Sequence, residues 1–182
     1  MPRISPVSIE NASPAAAEQL EGIKKKLGSV PNFFGTLGNS SAALGTYLAQ
    51  SQALEGALNA QLREQIALAV AGVNSCEYCA AAHTMIGKGA GLSEDETQRN
   101  LAGNSEDAKA LAAITFARKL NQSHGNVTDA DVQAVRDAGF SDAEVLEIIA
   151  VTTFNIFTNF VNIATQSDVD FPMVSNPATA TA

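Results

Sequence analysis

The residues best suited to chemistry lie in one stretch of the chain, from Glu64 to His83. This stretch contains both cysteines, Cys76 and Cys79, and one of the two histidines. At about 100° per residue, Cys76, Cys79 and His83 fall within an arc of roughly 60° on one helix face. Two thiols and an imidazole that share a face are suited to a dithiol/disulfide redox centre, in which the histidine takes the thiol proton or stabilises the thiolate.

The helix that carries the cysteines is predicted to begin at an N-cap formed by Asn74 and Ser75, after a preceding helix that stops at Gly72. Both cysteines would then lie in a first helical turn, where unpaired N–H groups and the helix dipole favour a thiolate. If the two helices fold back on each other, residues whose numbers sum to about 147 lie side by side. Glu64 is therefore expected to face His83 and to orient its ring.

Capping signals and hydrophobic periodicity predict an all-α bundle of about seven to eight helices without a convincing strand. Three capping boxes are expected, opened by Ser93, Thr128 and Ser141. Residues 30–35 are expected to be too short for a regular element. The predicted helices are 14–27, 41–55, 59–71, 76–88, 93–101, 105–121, 128–138 and 142–165.

The helix predicted at 142–165 is apolar on more than one face, so it is expected to be central in the fold or to meet another subunit. It also resembles the cysteine-bearing segment at an offset of 83 residues, which suggests a degenerate internal repeat. In that alignment the glutamate is retained and the redox residues are not. Glu64 aligns with Glu147, and Cys76, Cys79 and His83 align with Asn159, Asn162 and Gln166.

Composition narrows the class of protein. The 182 residues, 46% of them hydrophobic, predict one domain over 1–182 with flexible tails at 1–12 and 173–182. Eleven basic against nineteen acidic residues give a net charge of −8, which argues against nucleic-acid binding. No apolar run of membrane-spanning length and no apolar leader stand out, so a cytoplasmic protein without membrane association is expected.

The spacing E-x11-C-x2-C-x3-H, formed by Glu64, Cys76, Cys79 and His83, resembles the alkylhydroperoxidase D-like branch of the carboxymuconolactone decarboxylase family. The resemblance extends to VPNFF at 30–34 and DVDFP at 168–172. It implies a peroxiredoxin-type antioxidant enzyme, a thiol peroxidase or disulfide reductase. It further implies that Cys79 attacks the peroxide and Cys76 resolves the product as a redox-active disulfide, while His83 and Glu64 move the proton.

The same resemblance implies that no cofactor other than the Cys76–Cys79 disulfide is needed. The expected substrate is a hydroperoxide or a partner disulfide. The expected electron donor is a lipoylated protein, a peroxiredoxin or another thiol. Related proteins are commonly trimers or hexamers, so a homo-oligomer is expected.

Several alternatives remain open from the residues alone. In thioredoxin-like C-x-x-C motifs the first cysteine is the usual nucleophile. The family also contains lactone decarboxylases and isomerases that do not depend on a cysteine pair. A redox- or metal-sensing module is another alternative, because Cys76, Cys79 and His83 are ligands of the kinds that zinc prefers, although zinc needs about four. The cysteines could also form a structural disulfide.

Other residues near the motif allow further predictions. Phe33 and Phe34 either pack in the core or line an apolar substrate pocket over the thiols. Some relatives carry a histidine between the cysteines, where this chain has Glu77 and Tyr78. An acid beside Cys76 is expected to raise the pKa of that thiol and so to weaken peroxidase activity. His124 is expected to be a solvated loop residue.

Overall fold

Residues 1–175, which the computed structural model describes, contain nine α-helices and no β-strand. A short 3-10 helix, Ile9–Asn11, precedes them. The α-helices are α1 Pro14–Leu27, α2 Asn32–Leu37, α3 Ser41–Leu54, α4 Ala60–Asn74, α5 Glu77–Gly89, α6 Glu94–Ala102, α7 Ala108–Gln122, α8 Asp129–Asp137 and α9 Asp142–Thr165. The all-α prediction is confirmed. The helix beyond the predicted number is α2, which covers residues that were expected to be irregular.

Side-chain caps begin most of these helices, as the sequence predicts. Two of the three predicted capping boxes form, at Thr128–Asp131 and Ser141–Glu144. At α6, Ser93 accepts the expected backbone N–H. The second bond of the box, from the Ser93 backbone N–H to the Glu96 carboxylate, is missing because this carboxylate turns into the fold. There it accepts hydrogen bonds from the side chains of Gln65, Asn100 and Ser105.

Helix α4 is the centre of the bundle and packs against α5, α6, α7 and α9. Its residues from Gln65 to Gly72 are all buried. Gly72 was predicted to end this helix, but α4 continues to Asn74, so that prediction is wrong. The glycine is needed for another reason: a Cβ atom at this position would collide with the backbone carbonyl of Leu101 on α6.

Helix α9 lies beside α4 and also contacts α3, α5, α7 and α8. By length and composition alone it could cross a membrane, but 44% of its most apolar window is buried inside the fold. Its apolar character is therefore explained in part by the core. Leu146, Phe160 and Ile163 nevertheless remain exposed on its outer side.

The two segments of the suspected internal repeat differ in their backbone structure. Ser75, where the chain turns between α4 and α5, corresponds at the offset of 83 residues to Thr158. Thr158 lies inside α9, which continues without a break to Thr165.

The first twelve residues were predicted to be flexible, but backbone hydrogen bonds attach them to the bundle. Arg3 donates to the carbonyl of Thr165 at 2.7 Å, and Val7 donates to that of Gly35 at 2.9 Å. At the other end, residues 166–175 follow α9 without a helix or strand. Residues 176–182 of the predicted C-terminal tail lie outside the described part of the chain.

Candidate active site

The junction between α4 and α5 positions the two cysteines. Helix α4 ends at Ser75, whose φ of 55° is left-handed, and Cys76 is the N-cap of α5. The Cys76 sulfur accepts the backbone N–H of Cys79 at 3.4 Å. The predicted N-cap at Asn74 and Ser75 is wrong, because Ser75 ends the preceding helix. The Asn74 side chain instead ties α4 to α7 and α9 through hydrogen bonds with Asn121 and Asn159.

Cys76 and Cys79 face each other inside the fold as free thiols. Their sulfur atoms are 2.6 Å apart, and the two residues are only 1% and 3% exposed. A disulfide bond is about 2.05 Å long. The two sulfurs therefore need little movement to form one.

The two thiols differ in their affinity for protons. The pKa of Cys76 is lowered, chiefly by the hydrogen bond between the two thiols and also by the backbone N–H of Cys79, which donates to the Cys76 sulfur. The pKa of Cys79 is raised well above the ordinary range, first by burial and then by the bond to Cys76. When the pair loses one proton, the negative charge therefore rests on Cys76.

Glu77 was expected to raise the pKa of Cys76. Its charge does act in that direction, but the hydrogen bonds received by the sulfur outweigh it. The net pKa of Cys76 is lowered, so the expected loss of thiolate at this position is not found.

His83 and Glu64 meet as the folding of α4 against α5 predicts. His83 Nδ1 lies 2.7 Å from Glu64 Oε2, and both side chains are about four-fifths buried. This bond fixes the ring orientation and leaves Nε2 as the second site for a proton. His83 lines the same cavity as Cys79, but among the described residues no hydrogen bond joins His83 to either sulfur.

Asn162 of α9 is the polar contact of Cys79 that the sequence did not identify. Its Nδ2 donates to the Cys79 sulfur at 3.4 Å and to the carbonyl of Thr158 at 3.2 Å. The signal was present in the sequence, because polar residues at helical spacing interrupt an otherwise apolar helix. They are Asn155, Thr158, Asn159 and Asn162, all of them buried.

A cavity of about 400 Å³ opens above Cys79 and His83. Its volume lies within the usual range for small-molecule sites. Phe33 and Phe34 both line it, as one reading of the sequence expected, and Phe33 is also part of the core. The other aromatic residues in its wall are Tyr47, Tyr78, Phe154 and Phe171. Leu27, Met85 and Ile86 are exposed and mark its mouth.

Tyr78, between the two cysteines in sequence, helps to build this wall. Its hydroxyl accepts the backbone N–H of Phe33 at 3.1 Å, and its ring meets the Phe171 ring edge-on at 5.4 Å. Burial raises the pKa of Tyr78, and burial raises that of Tyr47 to about 12. Both phenols are therefore neutral, hydrogen-bonding parts of the cavity near pH 7.

The C-terminal segment closes the cavity on the side of α2. The Asp170 carboxylate accepts the backbone N–H of Asn32 at 2.7 Å, and the Asn32 side chain donates to the carbonyl of Asp168 at 3.0 Å. These bonds join the two outlying sequence segments, 30–34 and 168–172. They cap α2 from a distant part of the chain and hold Phe171 in the cavity wall.

The sequence also offered a zinc site and a second histidine, His124, for comparison with the structure. Within residues 1–175 no three His, Cys, Asp or Glu side chains are placed to hold a metal ion, so the zinc reading has no ligand set in this part of the chain. His124 is exposed, in a turn with a positive φ.

Known proteins resemble this chain both in sequence and in fold. Residues 40–120, which contain Glu64, both cysteines and His83, match the model of the carboxymuconolactone decarboxylase family. A peroxidase-related protein of Ralstonia eutropha JMP134 with the alkylhydroperoxidase AhpD core is 26% identical, with a TM-score of 0.82 over 93% of this chain and 92% of its own. A peroxidase-related protein of Silicibacter sp. TM1040 is 24% identical, with a TM-score of 0.77 over 96% and 94%.

A third similar structure has a different chemistry. The debrominase Bmp8, in complex with 2,3,4-tribromopyrrole, is 18% identical, with a TM-score of 0.77 over 92% of this chain and 91% of its own. At this identity the likeness concerns the fold. No curated protein sequence matches the chain.

The described residues form an all-α fold similar to that of two peroxidase-related proteins, with a buried cysteine pair between α4 and α5. Residues 40–120 match the carboxymuconolactone decarboxylase family, and the fold as a whole is similar to the alkylhydroperoxidase AhpD core.

Proposed function

We propose that this protein is a thiol-dependent oxidoreductase that reduces a hydroperoxide, or the disulfide of a partner, with the electrons of Cys76 and Cys79. The observation that carries the proposal is the pair of free thiols 2.6 Å apart beneath an apolar cavity. The bonded pair of His83 and Glu64 in the same cavity supplies a site for proton transfer.

In the first step the Cys79 thiolate attacks the outer oxygen of a hydroperoxide. An S–O bond forms, the O–O bond breaks, and the alkoxide leaves. His83 supplies the proton that converts the alkoxide to an alcohol, and Glu64 balances the charge of the protonated ring. Cys79 is then a sulfenic acid.

In the second step the Cys76 sulfur attacks the Cys79 sulfur. An S–S bond forms, the S–O bond breaks, and hydroxide leaves as water with the proton that Cys76 carried. The two thiols have then given two electrons to the peroxide. An external dithiol or two thiols must return two electrons and two protons, and a lipoylated protein or a peroxiredoxin is a donor of this class.

Access supports Cys79 as the attacking sulfur. Cys79 lines the cavity, whereas Cys76 lies behind it. The lowered pKa favours Cys76 as the first thiol to ionise, but the hydrogen bond between the sulfurs offers a route for exchange. When the Cys79 proton passes to Cys76, the thiolate appears on the sulfur that faces the substrate.

The lining of the cavity supports a substrate with an apolar body. Six aromatic side chains line its wall, and the Lys26 amine, which also lines it, is paired with Glu55 at 3.1 Å. A bulky alkyl or aryl hydroperoxide fits this lining better than hydrogen peroxide does, because it buries apolar surface on binding.

A second candidate reaction follows from the same dithiol and the aromatic lining. Reductive removal of bromine from an aryl bromide requires two electrons and one proton. The aryl bromide and two thiols would give the debrominated arene, a disulfide and hydrogen bromide. The debrominase with a similar fold binds a brominated ring, 2,3,4-tribromopyrrole, and release of bromide ion would distinguish this reaction.

The decisive experiment is a titration of free thiols before and after one equivalent of an aryl hydroperoxide. The parent protein should lose two thiols. Cys76→Ser should give a trappable sulfenic acid at Cys79, and Cys79→Ser should consume no peroxide. A trappable sulfenic acid at Cys76 in the Cys79→Ser protein would reverse the two roles, and unchanged thiols in the parent protein would refute peroxide reduction.

Assembly and location form part of the same proposal. The exposed apolar residues of α9 support a homo-oligomer, of three or six subunits by analogy with the family. A reducing, cytoplasmic setting suits a catalytic C-x-x-C pair, which such a setting keeps reduced.

A further inference from the structure

Asn162 is the buried polar side chain beside the thiols whose hydrogen bonding is incomplete. It is 5% exposed and lies in the wall of the substrate cavity. Its Nδ2 has two acceptors, the Cys79 sulfur and the Thr158 carbonyl. Its Oδ1 has no hydrogen-bond partner among the described residues. A buried carbonyl without a partner carries a free-energy cost.

The neighbours of the amide determine which way it faces. If the group were turned over, its oxygen would lie against the carbonyl of Thr158, and two acceptors would meet. The N–H groups must therefore point toward Thr158 and toward Cys79. A neutral thiol sulfur is a weak acceptor, whereas a thiolate is a strong one. The amide is thus oriented for the negative charge that Cys79 gains when it ionises.

We propose that Asn162 is a catalytic residue that donates a hydrogen bond to the Cys79 sulfur as the Cys79 thiolate forms. The inference rests on the proposed function in one respect, that Cys79 is the attacking sulfur. Proton transfer between the two sulfurs moves the charge without consuming or releasing a proton. The donor is in place before the charge arrives, as in oxyanion holes.

The groups around Cys79 give this donor a specific task. Its titratable neighbours are Cys76, Tyr78 and His83 on the α5 side, Glu64 on α4 and Tyr47 on α3. The α9 side contributes only neutral groups. Of these, the Asn162 amide donates to the sulfur, and the Thr158 hydroxyl also contacts it. Since a carboxylate or a thiolate near Cys79 opposes new negative charge, a neutral donor from α9 is the means to stabilise it.

The test measures the reactivity of Cys79 without any peroxide. In a Cys76→Ser background, the rate of alkylation by iodoacetamide is followed across pH. Asn162→Leu keeps most of the side-chain volume without the donor, and Asn162→Ala removes both. Each should slow alkylation at neutral pH by about 10- to 100-fold, the range expected for a hydrogen bond to a charged group. The pH profile should move to higher pH, with the limiting rate at high pH nearly unchanged.

Asn155→Ala is the matched control. Asn155 is a buried amide two turns earlier on α9, donates to the Val151 carbonyl, and has no hydrogen bond to either sulfur. Its variant should alkylate within about twofold of the background protein. Thermal melts identify any variant that is not folded, and Asn162→Val, which also lacks a donor, serves as a third replacement if both others fail to fold.

Two outcomes would overturn the inference. One is an unchanged pH profile in Asn162→Leu or Asn162→Ala. The other is an equal slowing at every pH, which indicates a packing defect. Because iodoacetamide replaces the substrate, the result is independent of peroxide turnover: a protein that consumes no peroxide can still show the Asn162 effect, and an active peroxidase can lack it.

Discussion

Replacement of Glu64 by glutamine should slow the oxidation of Cys79 while the fold is preserved. The glutamine side chain would keep the volume and one oxygen that can face His83 Nδ1, so the ring would stay in place. The substitution removes the negative charge of a carboxylate that lies 2.7 Å from His83 Nδ1. Both side chains are about four-fifths buried. A hydrogen bond to a charged group contributes about 1.5–3 kcal/mol. Since each 1.36 kcal/mol is tenfold in rate, the loss should be about 10- to 150-fold.

The assay is single-turnover oxidation of the parent and Glu64→Gln proteins by an aryl hydroperoxide across pH. If the charge acts through the protonated ring, the shape of the pH–rate profile changes. A packing defect would lower the rate by one factor at every pH. Glu147→Gln is the control, because Glu147 is also a partly buried helical carboxylate and accepts the backbone N–H of Leu58, away from the thiols. A Glu64→Gln rate within twofold of the parent would remove Glu64 from the mechanism.

Three further predictions follow from the structure. In a pH titration of thiolate absorbance, the two thiols should ionise in separate steps, the first below and the second above the ordinary cysteine pKa, because the pKa of one thiol is lowered and that of the other is raised. Cys76→Ser should remove the first step, and a single step of two equivalents would contradict these directions. Gly72→Ala should destabilise the fold by about 1–3 kcal/mol in urea, because its Cβ meets the Leu101 carbonyl; an unchanged midpoint would contradict that contact. Light scattering should report a mass several times 18.9 kDa. Phe160→Asp should lower this mass, because Phe160 is 58% exposed on α9. A parent protein that stays monomeric at high concentration would refute the assembly.

Local signals in the sequence were sufficient for much of the fold. Ser13, Ser93, Thr128 and Ser141 begin their helices as predicted because a cap acts within one turn of chain. The pairing of Glu64 with His83 was also predictable, since it follows from two helices that fold back around a short turn.

Contacts between distant residues explain the errors. Helix α2 was missed because the carboxylate that caps it, Asp170, lies 138 residues from Asn32. Gly72 was read as a helix end because its actual constraint is the backbone of Leu101 on another helix. Asn162 was noted only as a replaced cysteine in a suspected repeat, and its contact with Cys79 spans 83 residues.

The single turn at Ser75 explains why a thiolate is favoured at the start of α5 and not at the related positions of α9. That turn ends α4 and creates a new helix start, where the Cys76 sulfur accepts a backbone N–H and its pKa is lowered. The corresponding position of α9 lies within a continuous helix, where every N–H is already bonded to the preceding turn. A cysteine there would lack that stabilisation of its thiolate. Asparagine at position 162 instead donates a hydrogen bond, and the fold places this donor against the sulfur that needs it.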